Sequence, residues 1–309
     1  MLNAIARLLG SLLNIIYKTI AFKNYGVSLI LFTIIVKLAL LPLTIKQIKS
    51  SQKMQEIQPE IDRIQKRYKN DKEKLNQELM KIYQEKGVNP AGGCLPILVQ
   101  FPIMLALYYT IRKPLTYMLG WSKEMIGNII VKIMEIKPDF FSGNQYSFID
   151  QFESVKANPA AVADLFEKNI YYEINLVDAI NTIPNLLEEG IEKISLNFLG
   201  IFNLGVKPTY DLSLITQNPG LYVPALVLVI LAVVTTYLSS KLSTKHMGQS
   251  SNSQVEQTNK TMMIFAPVMT ILIGFQAPLG LSLYWTVSNL FQMAQQYFLD
   301  KYVYKKKEE

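Results

Sequence analysis

VSLILFTIIVKLALLPLT, residues 27–44, is an apolar run with a single lysine, Lys37, inside it rather than at its edge. At about 1.5 Å per residue a helix of this length covers roughly the ~30 Å hydrocarbon core of a bilayer. An ammonium near the middle of an isolated span costs about 2.5–3.5 kcal/mol on insertion scales, so something must compensate it. Two accounts are open. Lys37 can snorkel toward the headgroups beyond Thr44, or it can face polar groups supplied by other spans, in a wet pocket open to lipid.

Composition favours a membrane protein with sizeable polar segments. Of 309 residues, 50% are hydrophobic and 18% charged, too apolar for an ordinary soluble protein and too charged for a bare helix bundle. The formal net charge is +7. One cysteine, Cys94, excludes an internal disulfide, and one histidine, His246, excludes a histidine-rich metal site. Cys94 reads as a small packing residue and His246 as a loop residue without function. No cofactor, metal or nucleic-acid specificity is expected.

Outward from the lysine run, residues 1–23 place Leu2, Ile5, Leu8, Leu9, Leu12, Ile16 and Ile20 at helical spacing between Arg7, Asn14 and Lys18. This predicts an uncleaved amphipathic helix lying in the interface, with a signal peptide as the rival reading. Pro42 ends the first span, and Lys46, Lys49 and Lys53 follow, which puts that end in the cytoplasm and the N-terminus outside.

Residues 45–90 are polar and helical in period, with Met54, Ile57, Ile61, Ile64 and Tyr68 on one stripe and Leu75, Leu79 and Ile82 on another. Asn70 with Glu73 reads as a capping box, so two helices are expected to pair as a cytoplasmic hairpin. Eleven basic residues between Lys46 and Lys86 stand against seven acidic ones. That charge fits a solvated face as well as it fits contact with anionic lipid, a nascent chain or a ribosome.

The second span is expected over residues 94–111, CLPILVQFPIMLALYYTI, where Pro96 and Pro102 are kink candidates and Gln100 is polar at membrane depth. Residues 113–218 hold no convincing span. They carry more acid than base and read as a helical extracytoplasmic subdomain without assigned chemistry, with helices expected over residues 123–136, 159–168 and 175–187. The third span, 221–238, carries the Thr235–Thr236 pair; a polar cytoplasmic loop, 241–260, follows. The fourth, 262–275, contains Pro267. The fifth, 279–298, is unusually polar, with Ser288, Asn289, Gln292, Gln295 and Gln296 in its second half. Lipid would penalise that face, so it should point to the bundle interior or to water. A basic cytoplasmic tail, 299–309, closes the chain. The expected fold is therefore an all-α membrane protein of five spans with a cytoplasmic hairpin and an extracytoplasmic insertion.

Five stretches in this order, IIVKLALLPLTIKQ, SSQKMQEIQPEIDRIQKRY, NPAGGCLPILVQFPIMLALYYTIR, FLGIFNLGVKPTYD and GLSLYWTVSNLFQMAQQYF, resemble the YidC/Oxa family of membrane protein insertases in its bacterial five-span form. The resemblance covers nearly the whole chain outside residues 121–193. It implies a hydrophilic groove open to the cytoplasm and to lipid, with a positive residue of the first span inside it. The family's patterns carry over to Pro96, Gln100, Pro102, Tyr284, Trp285, Asn289 and Gln292. The position of Lys37 is usually arginine in the family; lysine keeps the charge and loses the planar five-donor fork. The outer loop is longer than in the compact Gram-positive members.

The expected function is that of an insertase and chaperone of the bacterial cell membrane, with nascent membrane proteins and the lipid bilayer as partners. Lys37, Gln100, Thr235, Asn289, Gln292 and Gln295 are the expected groove residues. The Sec translocon stays open as a partner, and the short tail argues against direct ribosome docking. No enzymatic activity is expected, because no Walker-type loop and no nucleophile–base pair is present. The rival function is a small-anion channel or secondary transporter with Lys37 as binding charge. It lacks the internal repeat such folds often show. An intramembrane hydrolase lacks its residues.

Overall fold

The computed structural model describes residues 2–88, 95–143, 146–184, 186, 193–245, 253–299 and 301. Cys94, His246, the turn residues Asn89 and Pro90, and the tail beyond residue 301 lie outside the described residues, as do the side chains of residues 95–99. The chain is mainly helical. Its helices are α1 (Leu2–Thr19), α2 (Tyr25–Ala39), α3 (Leu41–Glu56), α4 (Gln58–Arg67), α5 (Lys72–Glu85), α6 (Leu95–Arg112), α7 (Pro114–Tyr117), α8 (Lys123–Ile136), α9 (Phe152–Val155), α10 (Pro159–Phe166) and α11 (Tyr172–Thr182). A two-stranded hairpin, β1 (Asn197–Phe198) and β2 (Phe202–Asn203), precedes α12 (Leu212–Gln217), α13 (Pro219–Lys245), α14 (Ser253–Gly274) and α15 (Leu279–Leu299).

Among the described residues, α13 is long and apolar enough over Pro219–Ser243 to cross a membrane. Only 28% of its most apolar stretch is buried within the protein. Val227, Ile230 and Val234 stand exposed, so this helix needs an apolar solvent rather than a soluble core. The lysine run is broken: α2 and α3 together pass the same test but meet at a 54° bend. Pro42 lies one residue into α3 and has no N–H to continue the ladder of α2, which places the break at Leu40. Pro102 and Pro267 lie inside α6 and α14, which run through them as helices, and Pro96 falls in the first described turn of α6. Met263–Gly274 is a shorter apolar helix. Polar side chains dilute α15.

The chain divides into two compact units. The first comprises residues 1–32, 103–226 and 276–283. In it α1 buries Ala6, Gly10, Leu13 and Tyr17. A Cβ on Gly10 would come 2.1 Å from the Tyr117 carbonyl oxygen, so only glycine lets the two backbones approach. Thr110 Oγ1 donates to the Ala6 carbonyl at 3.1 Å and Tyr117 OH to Asn3 Oδ1 at 3.1 Å. The opposite side of α1 exposes Leu8 and Ile15. Both faces of this helix are therefore apolar in part, one meeting protein and the other left for an interface.

Residues 113–218 of this unit are densely cross-linked. Helices α8 and α10 touch at Gly127, where a Cβ would lie 1.8 Å from the Pro159 carbonyl oxygen. Phe141, Tyr146, Phe148 and Phe166 form an aromatic cluster, with Phe141 and Phe166 centroids 4.9 Å apart in an edge contact. Glu173 is fully buried at the start of α11 and accepts from Thr116 N at 3.0 Å, Thr116 Oγ1 at 2.5 Å and Tyr172 OH at 3.1 Å. Burial pushes its carboxyl above the usual range although those donors pull the other way. Lys113 pairs with Glu167 at 2.8 Å. The helix expected at 175–187 begins earlier, at Tyr172, because Tyr172, Leu176, Val177 and Ile180 form one buried stripe with Glu173 beside them.

The β-hairpin was not expected from sequence. Leu199 and Gly200 both take positive φ, 56° and 71°, in the three-residue loop between Phe198 and its strand partner Phe202. Phe198 lies over Gly26, where a Cβ would meet its ring at 2.2 Å. Past the hairpin, the Leu204 and Val206 carbonyls accept from Gly280 N and Leu279 N, satisfying orphan donors at the start of α15.

The second unit comprises residues 33–102, 227–275 and 284–309. Its polar arm packs Ile57, Ile61, Ile82 and Val88 into a small core, with Met54, Ile64, Leu79 and Tyr83 against it. Pro59 opens α4 after a break at Ile57. The helix start placed at Asn70 falls one residue later: Asp71 caps α5, its carboxylate accepting from Lys74 N at 3.0 Å. Glu60 and Lys86 form an exposed ion pair at 3.1 Å.

Candidate functional site

Within the second unit, polar side chains of several apolar helices meet. Asn289 on α15 donates from Nδ2 to Thr236 Oγ1 at 2.8 Å and lies 3.3 Å from Thr235 Oγ1, both on α13. The two threonine hydroxyls donate back to carbonyls of their own helix, Thr235 to Leu231 at 2.8 Å and Thr236 to Ala232 at 2.7 Å. Their lone pairs are therefore left facing the Asn289 amide. Thr270 on α14 does the same toward Ala266 and sits 3.3 Å from Thr236 Oγ1. Three helices are tied together by one polar knot. A second tie joins α6 to α15, where Gln100 Nε2 donates to Tyr284 OH at 2.8 Å. A third joins Gln296 Nε2 to Ser243 Oγ at 2.8 Å.

The satisfaction is incomplete. Gln295 Nε2 and Gln296 Oε1 are buried without a hydrogen-bond partner among the described residues, and Gln292 is half-buried. Lys37 is half-buried and has neither hydrogen bond nor ion pair among the described residues. Buried polar groups are nearly always paired, so a set of orphans on apolar helices marks a place where another polar molecule or water belongs.

Of the residues singled out in the sequence, the structure joins Asn289 to Thr235 and gives Gln100 the Tyr284 hydroxyl. It gives Lys37, Gln292 and Gln295 no direct partner among those residues. Thr236, Thr270 and Ser243 were missed as partners. Each is a hydroxyl that a helix can satisfy through its own carbonyls, as Thr236 and Thr270 do, and that therefore reads as neutral in sequence. Among the described residues no group of three or more metal-ligating side chains gathers.

The chain matches the model of the 60Kd inner membrane protein family over residues 15–307. It is 30% identical over 299 residues to the membrane protein insertase YidC of Fusobacterium nucleatum, covering 97% of this chain and 96% of that one. To the membrane protein insertase YidC of Clostridium perfringens it is 32% identical over 277 residues, 89% of this chain and 78% of that one. The match to that of Treponema denticola, 26% identical over 306 residues, covers 38% of the longer protein. A helix that exposes its apolar surface, polar ties across apolar helices, and a family match over nearly the whole chain agree, and the chain belongs to the 60Kd inner membrane protein family, the YidC/Oxa family of bacterial membrane proteins.

Proposed function

We propose that this chain is a membrane protein insertase and chaperone, in which five spans, closely following α2, α6, α13, α14 and α15, surround a hydrophilic groove open to the cytoplasm and to lipid. The N-terminus then lies outside and the C-terminus in the cytoplasm. The observation that carries the reading is Lys37: a half-buried ammonium in an apolar run with no partner among the described residues, on a chain whose relatives are named insertases.

The work such a groove must do is electrostatic. Moving a polar or acidic segment through hydrocarbon strips its hydration, at a cost of several kcal/mol per ion even after relaxation. Lys37 offers the entering carboxylate a counter-charge. Asn289, Gln100, Gln292 and Gln295 offer amide dipoles in place of water, with Thr235 beside them. The apolar segment of the client meanwhile leaves sideways into lipid, drawn by its own burial. Neither nucleotide nor covalent chemistry is needed for this exchange. The charged arm α3–α5 is the receiving element for nascent chains on the cytoplasmic side. Pro42 and the 54° bend re-aim the chain from the span into that arm.

Depletion of the protein followed by protease protection of a small single-span client tests the proposal. Insertion is expected to fall; unchanged insertion in a cell with no second copy of the family would sink it.

A further inference from the structure

The first unit contains a cationic cluster that the insertase reading does not use. Arg112, the last residue of α6, lies with its guanidinium carbon 5.3 Å over the Tyr108 ring and 5.1 Å over the Tyr109 ring. Among the described residues its one oxygen contact is long, Nη1 to Tyr108 OH at 3.5 Å, and its Nε is buried without a partner. Lys207 is exposed and stands 5.8 Å over the ring of Tyr171, whose hydroxyl donates to the Gln276 carbonyl. Lys113, which follows Arg112, stands 5.6 Å over the ring of Tyr172, which follows Tyr171, so the end of α6 meets the start of α11 here; burial pushes the Tyr171 phenol up, Tyr108 adds to that and Arg112 opposes it. The two cations thus share one neighbourhood. Neither has a carboxylate partner among the described residues, whereas the adjacent Lys113 is already held by Glu167.

Two tyrosine faces fix the plane of the guanidinium and leave its Nη edge as a preorganised fork, the geometry that matches two oxygens of a phosphate. Lys207 adds a mobile point charge. The Tyr108 hydroxyl, which accepts from Arg112, keeps its own proton to donate beside them.

We propose that Arg112 and Lys207, framed by Tyr108, Tyr109 and Tyr171, bind a phosphate monoanion, either as a phospholipid headgroup or free in solution. The lipid form rests on the five-span reading above, because Arg112 ends α6 and Gln276 precedes α15. That reading puts both at the outer membrane surface, in the belt where tyrosines sit at headgroup level.

The test is native mass spectrometry of the full chain in detergent, titrated with phosphatidylglycerol, phosphatidylcholine or inorganic phosphate. The protein should bind phosphatidylglycerol in preference to phosphatidylcholine. Arg112→Gln and Lys207→Gln should each weaken that binding about fivefold and the double variant about 25-fold. Arg112→Lys should fall between wild type and Arg112→Gln, which separates lost charge from lost fork, and Lys156→Gln should change nothing. Displacement of the lipid by millimolar inorganic phosphate identifies a free anion as the ligand; failure to displace it identifies the headgroup. Equal binding of both lipids with no phosphate bound, or full retention of phosphatidylglycerol by a folded double variant, overturns the site. Labelling of Lys207→Cys, in a Cys94→Ser background, by an impermeant maleimide on intact cells checks the span reading separately. A failure there removes the outer location and leaves the detergent measurement standing.

Discussion

The segment 113–218 and the polar positions of the apolar helices α2 and α15 are both rich in polar groups, yet they treat them in opposite ways. In the first region Glu173, the one fully buried carboxylate among its described residues, accepts three hydrogen bonds, Lys113 has Glu167, and Lys123 has Asp164. In the second, Lys37 of α2 has nothing among the described residues, and Gln295 and Gln296 of α15 each keep a buried atom without a partner among them. Closed networks hold a shape. Open ones wait for a partner. Under the proposed function the first region is a rigid scaffold and the second the surface that meets a client, and the contrast can be broken by experiment at either end.

The largest effect should come from the open end. Lys37→Glu places a like charge against an acidic client segment, a juxtaposition costing several kcal/mol, so insertion of such clients should drop about a hundredfold. Lys37→Ala should impair the same clients less, and Lys37→Arg should keep activity, because charge rather than fork geometry is what the groove supplies. Protease protection of clients differing only in their acidic residues measures this series. Equal insertion by all three variants would show that the unpaired ammonium is no part of client handling.

Next in size are changes at the closed end. Gly127→Ala improves helix propensity by about 1 kcal/mol. It also drives a Cβ to 1.8 Å from the Pro159 backbone oxygen, and overpacking of that kind costs about 1–3 kcal/mol. The clash should win, and hydrogen exchange across α8 and α10 should rise while α13 is unchanged.

Glu173 gives a smaller, pH-dependent effect. Its folded carboxyl titrates above the ordinary 4.5, so the native state holds its proton where the unfolded state has lost it. Its contribution is fully present below 4.5 and is lost as pH rises from there through the raised folded value, after which the deficit stays constant. Amide protection of α11 should therefore fall over that window in the wild type. Glu173→Gln, compared at each pH, should remove the dependence; an identical pH profile in both proteins would show that another group carries it.

The two regions were also unequally legible. Lys37 announced itself, because one charge in an apolar run has no cheap structural explanation. Asn289 and Gln100 stood out for the same reason, but their partners lie 53 and 184 residues away, and spacing along one helix says nothing about which threonine or tyrosine of another helix is met. The break at Leu40 was half-read: Pro42 marked the end of the span, but the chain turns 54° and continues as helix rather than stopping. In the segment 113–218 the Lys123–Ile136 helix was read to the residue from its period, and the structure adds the Ser122 cap. Glu173 was passed over because acidic residues are common there, although it sits beside a buried apolar stripe. The hairpin at 197–203 was too short for any alternation to show.

The smallest expected effect on stability is the most telling one for function. Asn289→Leu deletes the 2.8 Å bond to Thr236 but leaves no buried hydroxyl stranded, since Thr235 and Thr236 already donate to their own helix. Interhelical hydrogen bonds in membranes average only about 0.6 kcal/mol, so the unfolding midpoint in detergent should barely move. If the amide serves as a substitute for water along the path of a client, insertion should nevertheless fall several-fold, and most for clients with polar rather than acidic outer segments, because Lys37 still serves the latter. Asn289→Gln, which keeps an amide one methylene further out, should recover part of that loss. Loss of stability and activity in step would instead place Asn289 with Glu173, as a strut of the closed kind.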